Sequence, residues 1–250
     1  MKAMILAAGL GTRLHPLTDD RPKALVTIAG RTLLEIAVTR LREFGVRELI
    51  VNVYHRAEMI VDYLQAHRNF GLRIEISREE ILLDTGGGLK KAAWFFLEPG
   101  ESACRPFLLH NVDVLSTVDL DRMMQFHAEH NALATLAMQD RETSRYLLFD
   151  RESQLCGRRA GKDGVPELVR PTEQPKALAF CGIQILSPRI FEEIREEGVF
   201  SIIPLYLRLA AQGEKVIAFR ADGSYWRDLG RPQSLNEAAK EMASGLYPGP

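Results

Sequence analysis

Charged side chains next to glycines mark the first place where this sequence could act on phosphate. Arg13 follows Gly9 and Gly11 in a loop that succeeds a short apolar run, and Lys23 comes ten residues after the arginine. The backbone N–H groups of such a loop, with a guanidinium fork beside them, are suited to holding a phosphate chain. A plain glycine turn with a surface arginine explains the pattern equally well, so the loop alone leaves both interpretations open.

Two carboxylates could bind a metal ion. Asp113 lies at the exit of the apolar stretch 106–114, where a buried charge is costly unless it is paired or metal-bound. A capping aspartate before the next helix is the alternative. Asp228 follows an aromatic pair and precedes Gly230, and this pattern alone favours neither a ligand nor a structural role.

Other polar side chains carry less information. His127 continues the apolar stripe of a predicted helix and His130 lies near its end, so we expect neither to bind a metal. His110 could donate to a nucleotide, but we expect a buried, hydrogen-bonded histidine. Arg141 and Arg145 could reach a bound ligand, although solvated loop charges are the default interpretation.

Alternating strand and helix patterns in the first half predict the elements that position these residues. Strands are predicted at 1–8, 47–54, 72–76 and 106–114, and a glycine triplet, 86–88, is predicted to precede a helix through Phe96. The capping-box pattern from Thr32 to Glu35 predicts the start of a helix. This order is typical of an α/β protein with a Rossmann-like, mostly parallel twisted sheet and helices on both faces. The loop after Gly9, the glycine triplet and Asp113 should then meet at one sheet edge.

The second half predicts a mixed β extension that continues the sheet and covers the site. Strand patterns recur at 132–139, 145–150, 178–186, 215–219 and 224–229, and helices are predicted at 200–211 and 231–242. The segment 150–176 is polar and contains glycine, so we expect a flexible loop there.

Composition excludes several classes of protein. The chain has 250 residues, 46% of them hydrophobic and 26% charged, with a net charge of −1. No strong basic field is present, so we expect no nucleic-acid partner. No apolar run is long enough for a signal peptide or a membrane span. The cysteines Cys104, Cys156 and Cys181 lack metal or redox spacing, which is consistent with reduced thiols in the cytoplasm.

The stretch LAAGLGTRLHPLT, followed by PKAL, resembles the signature of the sugar-1-phosphate nucleotidyltransferases. LLDTGGGLKKA, HNVDV and YWRDLGRP resemble further segments of that family, so the resemblance spans nearly the whole chain. Two residues depart from the pattern: Ala24 stands where the family usually has a second proline, and Val112 where it usually has glycine. Within the family, the sequence is similar to N-acetylmuramate-1-phosphate uridylyltransferases and to mannose- or heptose-1-phosphate guanylyltransferases.

The resemblance implies a reaction. A sugar-1-phosphate would attack the α-phosphorus of a nucleoside triphosphate in line, releasing pyrophosphate and forming a nucleotide-sugar. By the resemblance, Arg13 holds the departing pyrophosphate, Lys23 lies between the two substrates, and Asp113 and Asp228 bind Mg²⁺. The residues implied for the nucleotide are Leu6, Ala7, Ala8, Gly9, Gly11, Thr12, Arg13, Lys23, Gly87, Gly88 and Asn111, and those implied for the sugar are Gly182 and Val112.

The resemblance also implies a division of the chain. We expect one nucleotidyltransferase domain, 1–243, with a nucleotide-binding half at about 1–130 and a sugar-binding and closing half at about 131–243, before a tail, 244–250. The family's E-K-P sugar segment has no clean match; Glu173 and Lys176 lie near its place, out of register.

Two other functions remain open at this point. A nucleotide-binding regulatory domain of the same fold would retain the charged residues but not turnover. An NAD-dependent oxidoreductase is disfavoured, because the third glycine of the dinucleotide loop is absent and no acidic residue ends the strand 47–54. The sequence does not identify the nucleobase or the sugar, and it leaves the oligomeric state open, a homo-oligomer included.

Overall fold

The computed structural model describes residues 1–97, 105–245 and 247. Cys104 and most of the predicted tail lie outside these ranges. In the described part of the chain, no helix is both long enough and apolar enough to cross a membrane.

Strands are distributed over the whole described chain. In chain order they are β1 (Lys2–Leu6), β2 (Thr27–Ile28), β3 (Arg31–Thr32), β4 (Glu48–Val53), β5 (Arg73–Arg78), β6 (Phe107–Asn111), β7 (Val114–Ser116), β8 (Ala134–Gln139), β9 (Arg145–Phe149), β10 (Leu155–Ala160), β11 (Glu167–Leu168), β12 (Lys176–Leu186), β13 (Val216–Arg220) and β14 (Trp226–Asp228).

Helices alternate with the strands in the first half and are sparser in the second. They are α1 (Leu33–Glu43), α2 (Ala57–Ala66), α3 (Asp84–Lys91), α4 (Ala93–Leu97), α5 (Leu120–Glu129), α6 (Ile190–Glu193), α7 (Ile202–Ala211) and α8 (Pro232–Ala243).

The central sheet is parallel in its first half and mixed beyond it, with mostly antiparallel pairs. β5, β4, β1 and β6 lie side by side in that order and run in one direction. β12 runs against β6 and pairs antiparallel with β8 and β9, and β13 joins β8 in parallel. The predicted fold class, a mostly parallel sheet with a mixed extension, is confirmed.

Alternation along the buried strands places apolar side chains on both faces of this sheet. In β1, Ala3 and Ile5 belong to one apolar cluster, whereas Met4 between them belongs to another. Successive side chains of a strand point to opposite faces, so each cluster must be covered by its own layer. Helices pack against both faces, which confirms the predicted layering.

The predicted start of α1 is confirmed in atomic detail. The side chain of Thr32 accepts a hydrogen bond from the backbone N–H of Glu35 at 3.0 Å. Such a cap satisfies one of the N–H groups that a helix leaves free at its first turn. At the other end the helix stops before Gly45, whose φ of 75° suits a left-handed position.

One predicted strand and one predicted loop differ from the structure. The stretch 106–114 is not one strand: β6 ends at Asn111, and Val112 and Asp113 turn the chain toward β7. The segment 150–176 is not an open loop, because it contains β10 and β11, which pair with each other. Because the outward-facing side chains of these strands are polar, the short buried run at the start of β10 did not stand out as a strand in the sequence.

Candidate active site

A cleft of about 490 Å³ opens at the sheet edge where β1, β4 and β6 end. Ligands of open α/β sheets bind beyond the carboxyl ends of the strands, so its location follows from the topology. Of the site residues expected from the sequence, Leu6, Ala8, Gly9, Lys23, Asn111, Val112 and Asp113 line it. Leu82, Asp84 and Thr85, from the segment LLDTGGGLKKA, also line it, as do Asn52 and Val199, which the sequence did not single out.

The glycine loop leaves β1 and bends around Lys23. Gly11 has a φ of +69°, and a Cβ there would lie 2.9 Å from the Cβ of Lys23 and 3.0 Å from the Cγ2 of Thr18. Both the backbone conformation and the close approach therefore require glycine at this position. Gly9 is exposed in the cleft, and a Cβ there would meet no atom within 4 Å.

No long helix follows this loop directly. Thr12–Leu14 forms a single 3-10 turn, with the N–H of Leu14 donating to the carbonyl of Gly11 at 2.8 Å. The next long helix, α1, begins only at Leu33. The loop therefore has no long helix directly behind it, and Arg13 is exposed within it.

Lys23 and Asp113 meet in the cleft although 90 residues separate them. The ammonium group of Lys23 donates a hydrogen bond to Oδ2 of Asp113, and both side chains are mostly buried, with exposures of 13% and 12%. Lys23 begins a short 3-10 turn after Pro22, while Asp113 sits in the turn after β6. The turn after Pro22 and the turn after β6 therefore lie side by side.

Asp113 and Asp228 are brought together by pairing of β7 with β14. Asp228 lies opposite Val114, and the N–H of Leu229 donates to the carbonyl of Asp113 at 2.8 Å. A Cβ on Gly230 would meet Oδ1 of Asp228 at 2.7 Å and Oδ2 of Asp113 at 3.3 Å. The glycine therefore keeps open a space that both carboxylates face.

This space has the donor chemistry of a magnesium site. Carboxylate oxygens are hard ligands, and Mg²⁺ commonly takes only one or two of them while keeping waters and substrate oxygens. Among the described residues, no group of three or more acidic, histidine or cysteine side chains forms a denser metal cluster. Nη2 of Arg13 would also lie 2.8 Å from a Cβ on Gly230, so a guanidinium borders the same space.

Gly182 lies on β12 against Asn111, which lines the cleft. Its φ is +72°, and a Cβ there would lie 2.8 Å from Nδ2 of Asn111 and 3.0 Å from Cγ2 of Val114. The strand is irregular here, since the pairing register with β8 shifts between Phe180 and Gln184. Val112, beside Asn111, is 4% exposed and donates its N–H to the carbonyl of Leu6 at 3.2 Å.

Gly87 and Gly88 do not line the cleft. The triplet lies inside α3 instead of preceding a helix, and all three glycines are buried. A Cβ on Gly87 would lie 2.6 Å from the carbonyl oxygen of Gly198, and one on Gly88 would lie 2.8 Å from Nδ2 of Asn52. These glycines therefore allow close packing of α3, and Asp84 and Thr85 line the cleft in their place.

A buried polar bridge connects the glycine loop to the start of α3. Oδ1 of Asn52 accepts from the N–H of Ala7 at 2.7 Å, and Nδ2 of Asn52 donates to Glu79 at 2.7 Å. The second oxygen of Glu79 accepts from the N–H of Leu83 at 2.9 Å. Sequence analysis missed this bridge; its signal was an asparagine within the apolar run LIVNV.

His110 and His127 are both buried. His127 is buried and lies 2.8 Å from the hydroxyl of Thr135, and burial lowers its pKa to about 4. Burial and the charge of Arg40 lower the pKa of His110 to about 4 as well. Nδ1 of His110 lies 2.7 Å from the carbonyl oxygen of Asn111, while Nε2 has no hydrogen-bond partner among the described residues. Neither ring lines the cleft.

The residues near the place of the missing E-K-P segment lie away from the cleft wall. Lys176 forms an exposed ion pair with Asp140 at 3.6 Å, and Glu173 is exposed. Burial raises the pKa of Cys156 to about 11 and that of Cys181 to about 12, so both thiols stay protonated near neutral pH.

Comparison with known proteins gives consistent matches over nearly the whole length of this chain. The family model described as nucleotidyl transferase matches residues 2–245. The chain is 33% identical to the N-acetylmuramate alpha-1-phosphate uridylyltransferase of Caulobacter vibrioides, with 96% of each chain covered. It is 27% identical to the mannose-1-phosphate guanylyltransferase of Mycobacterium tuberculosis, covering 99% of this chain and 66% of that protein.

Solved structures share the fold. HddC from Yersinia pseudotuberculosis, crystallised with GMP-PN, superposes with a TM-score of 0.73 at 22% identity, covering 96% of this chain and 99% of that one. A UDP-glucose pyrophosphorylase complexed with UDP-glucose gives a TM-score of 0.76 at 20% identity, covering 97% and 98%. With the family model matched nearly from end to end, the chain belongs to the sugar-1-phosphate nucleotidyltransferase family.

Proposed function

We propose that the protein transfers a nucleotidyl group from a nucleoside triphosphate to a sugar-1-phosphate, with Mg²⁺, as a uridylyl- or guanylyltransferase. One observation carries the proposal: Arg13, Asp113 and Asp228 border the space kept open by Gly230, and Lys23 reaches Asp113. Two cations and two carboxylates beside a glycine loop form a set suited to phosphate and magnesium. A regulatory domain without turnover is supported only by the departure at Val112 and the missing E-K-P segment, and it is not favoured, since none of these charged groups is missing.

The reaction joins two anions. An oxygen of the sugar phosphate forms a bond to the α-phosphorus of the triphosphate, the bond from that phosphorus to the bridging oxygen breaks, and pyrophosphate leaves. Such transfers depend on positioning and on electrostatic stabilisation, so no covalent nucleophile is needed. In our assignment, the loop from Gly9 to Thr12 and Arg13 hold the triphosphate, and Lys23 offsets the repulsion between the substrates.

Asp113 and Asp228 are the proposed holders of the magnesium ion, whose chemistry when bound is polarisation of the α-phosphoryl group. The bridge of Asn52 and Glu79 fixes the distance between the glycine loop and the start of α3. In our assignment the base binds at that end of the cleft, against Asp84 and Thr85, and the sugar binds near Gly182 and Val112.

Pyrophosphate release tests the proposal. Purified protein with Mg²⁺ is mixed with each of five nucleoside triphosphates and several sugar-1-phosphates, including N-acetylmuramate- and mannose-1-phosphate. We expect rapid release for one preferred pair and a dependence on both substrates. Release that does not need the sugar phosphate would indicate a hydrolase, and no release with any pair would contradict the proposal.

A further inference from the structure

Arg141 lies at the ligand edge of the sheet although it belongs to the second half of the chain. β12 runs antiparallel to both β6 and β8, so β6 and β8 point in the same direction. The carboxyl end of β8 therefore faces the edge where β1, β4 and β6 end. Arg141 follows that end by two residues, in the connection between β8 and β9.

Two contacts fix this guanidinium next to the site. Its central carbon lies 3.6 Å from the centroid of the Trp226 ring, and its Nη2 donates to the carbonyl of Phe180 at 2.7 Å. The indole N–H of Trp226 in turn donates to the carbonyl of Cys181 at 2.7 Å. Arg141 is thus attached to the strand that carries Gly182 and to a residue two positions before Asp228.

The positive charge of Arg141 is half-buried without an ion-pair partner. In the described part of the chain, no carboxylate lies within ion-pair distance of it. Burial lowers its pKa, and the thiol of Cys181 beside it stays neutral because its own pKa is about 12. Asp228 attracts Arg141 only at longer range. A charge removed from water without a partner is costly, so an anionic ligand would offset a penalty that the fold already bears.

A donor atom remains available to such a ligand. Nη1 of Arg141 reaches only the carbonyl of Glu142, at 3.5 Å, whereas Nε is buried and the thiol of Cys181 interacts with the guanidinium. A guanidinium with a donor to spare can bind an oxygen of a phosphate or a carboxylate.

We propose that Arg141 binds the phosphate group of the sugar-1-phosphate and sets the affinity for that substrate. The proposal rests on the function proposed above. Arg13 and Lys23 follow β1 in the chain, and in our assignment they hold the triphosphate and offset its charge, so a further cation is needed for the incoming phosphate. Arg141 is attached to β12, which carries Gly182, and to β14, and this is the region assigned above to the sugar.

Steady-state kinetics of Arg141→Ala test the proposal. We expect the KM for the sugar-1-phosphate to rise tenfold or more, the loss of a charge-assisted contact, while the KM for the nucleoside triphosphate changes less than threefold. Arg141→Lys keeps the positive charge but not the guanidinium fork, so its KM for the sugar-1-phosphate should lie between those of Arg141→Ala and the wild type. Arg151→Ala removes an exposed arginine beyond the far end of β9 and should change neither KM.

The alternative role for Arg141 is to hold Trp226 in place. In that case Arg141→Ala would lower the kcat or raise both KM values together, and its thermal unfolding temperature would fall. Either result, without a selective rise of the KM for the sugar-1-phosphate, would overturn the proposal. If the alanine variant does not fold, Arg141→Lys and Arg141→Gln carry the same comparison.

Comparing sugar-1-phosphates with and without a carboxyl substituent shows which anion Arg141 binds. A loss with sugar-1-phosphates both with and without a carboxyl substituent supports phosphate binding. A loss confined to the carboxylated sugar would overturn it in favour of a carboxylate site.

The assignment of Arg141 can be tested even if the proposed function proves wrong. If the wild type releases no pyrophosphate with any pair, calorimetry with mannose-1-phosphate alone still compares wild type and Arg141→Ala. A tenfold weaker binding by the variant would support the assignment of Arg141, and equal binding would overturn it.

Discussion

Asp113 connects the charged groups of the site at the scale of single residues. Its carboxylate accepts from Lys23, its backbone carbonyl accepts from the N–H of Leu229, and it faces the space beside Gly230 together with the carboxylate of Asp228. A carboxylate in this position can hold a cation only if the chain supplies no permanent partner that outcompetes the ligand. Lys23 is a flexible point charge, so it can pair with phosphate oxygens when substrate is present.

Replacing Asp113 tests the metal assignment. We expect Asp113→Asn to lose more than nine tenths of Mg²⁺-dependent activity, because one of two carboxylate charges is removed. Circular dichroism should show a folded protein. The matched control is Asp121→Asn, an exposed carboxylate on α5, which should keep full activity. Retention of more than about a tenth of wild-type activity, a barrier increase below about 1.4 kcal/mol, would show that Asp113 does not hold the metal.

Arg13 and Lys23 should differ in what they recognise. We expect Arg13→Ala to weaken binding of the nucleoside triphosphate far more than binding of the nucleotide-sugar, because only the former carries the departing pyrophosphate. Lys23→Ala should weaken both. Each charge-assisted contact contributes about 1.5–3 kcal/mol, roughly ten- to a hundredfold in affinity.

Calorimetry in Mg²⁺ at constant ionic strength measures both affinities. Lys91→Ala, an exposed cation on α3, controls for a change in overall charge. Equal losses for the two ligands in Arg13→Ala would mean that the arginine does not hold the pyrophosphate.

At the scale of elements, the glycine loop depends on conformation as much as on charge. Gly11 combines a positive φ with close contact to Lys23 and Thr18, whereas Gly9 has an ordinary φ and open space around it. The two glycines of one motif therefore do different things. Gly11 shapes the loop, and Gly9 leaves room in the cleft.

Paired alanine substitutions separate these roles. We expect Gly11→Ala to lower the free energy of unfolding by about 1–3 kcal/mol, the cost of a non-glycine residue in the left-handed region. Gly9→Ala should leave it unchanged within about 0.5 kcal/mol. Chemical denaturation of the two variants measures the difference. Equal stability of both variants would contradict the conformational argument.

How well each helix and strand could be predicted depended on the kind of sequence pattern that marks it. The capping box of α1 and the apolar runs of β1, β4 and β6 were identified because each signal is local and redundant. The strands β10 and β11 were missed because their apolar residues are few and their stability comes from pairing with β9 and with each other. The glycine triplet was misplaced because glycine is also typical of turns, and only packing against Gly198 and Asn52 explains it within a helix.

At the scale of the whole molecule, buried neutral histidines link stability to pH. His110 and His127 have pKa values of about 4 in the folded protein, below the usual value of 6.5. Between these values the unfolded chain binds protons that the folded chain excludes. Stability contributed by the neutral rings is therefore complete above pH 6.5 and is lost as the pH falls from 6.5 to 4.

Denaturation at pH 7 and pH 5 measures this dependence. We expect each histidine to account for a loss of about 2 kcal/mol over that interval. His127→Gln should reduce the total loss, whereas His130→Gln, at an exposed position, should not. An identical pH dependence in His127→Gln and the wild type would show that this ring titrates normally.

The sequence by itself determined the family, the order of strands and helices in the first half, and the chain positions of Arg13, Lys23, Asp113 and Asp228. These depend on local patterns and on a motif whose residues are close together in the chain. Tertiary structure alone decided that Asp228 reaches Asp113 through β7 and β14, that Asn52 and Glu79 bridge the cleft, and that Arg141 stacks on Trp226. Each of these contacts joins distant segments, and their geometry depends on strand register and on space left by glycines, which no local pattern encodes.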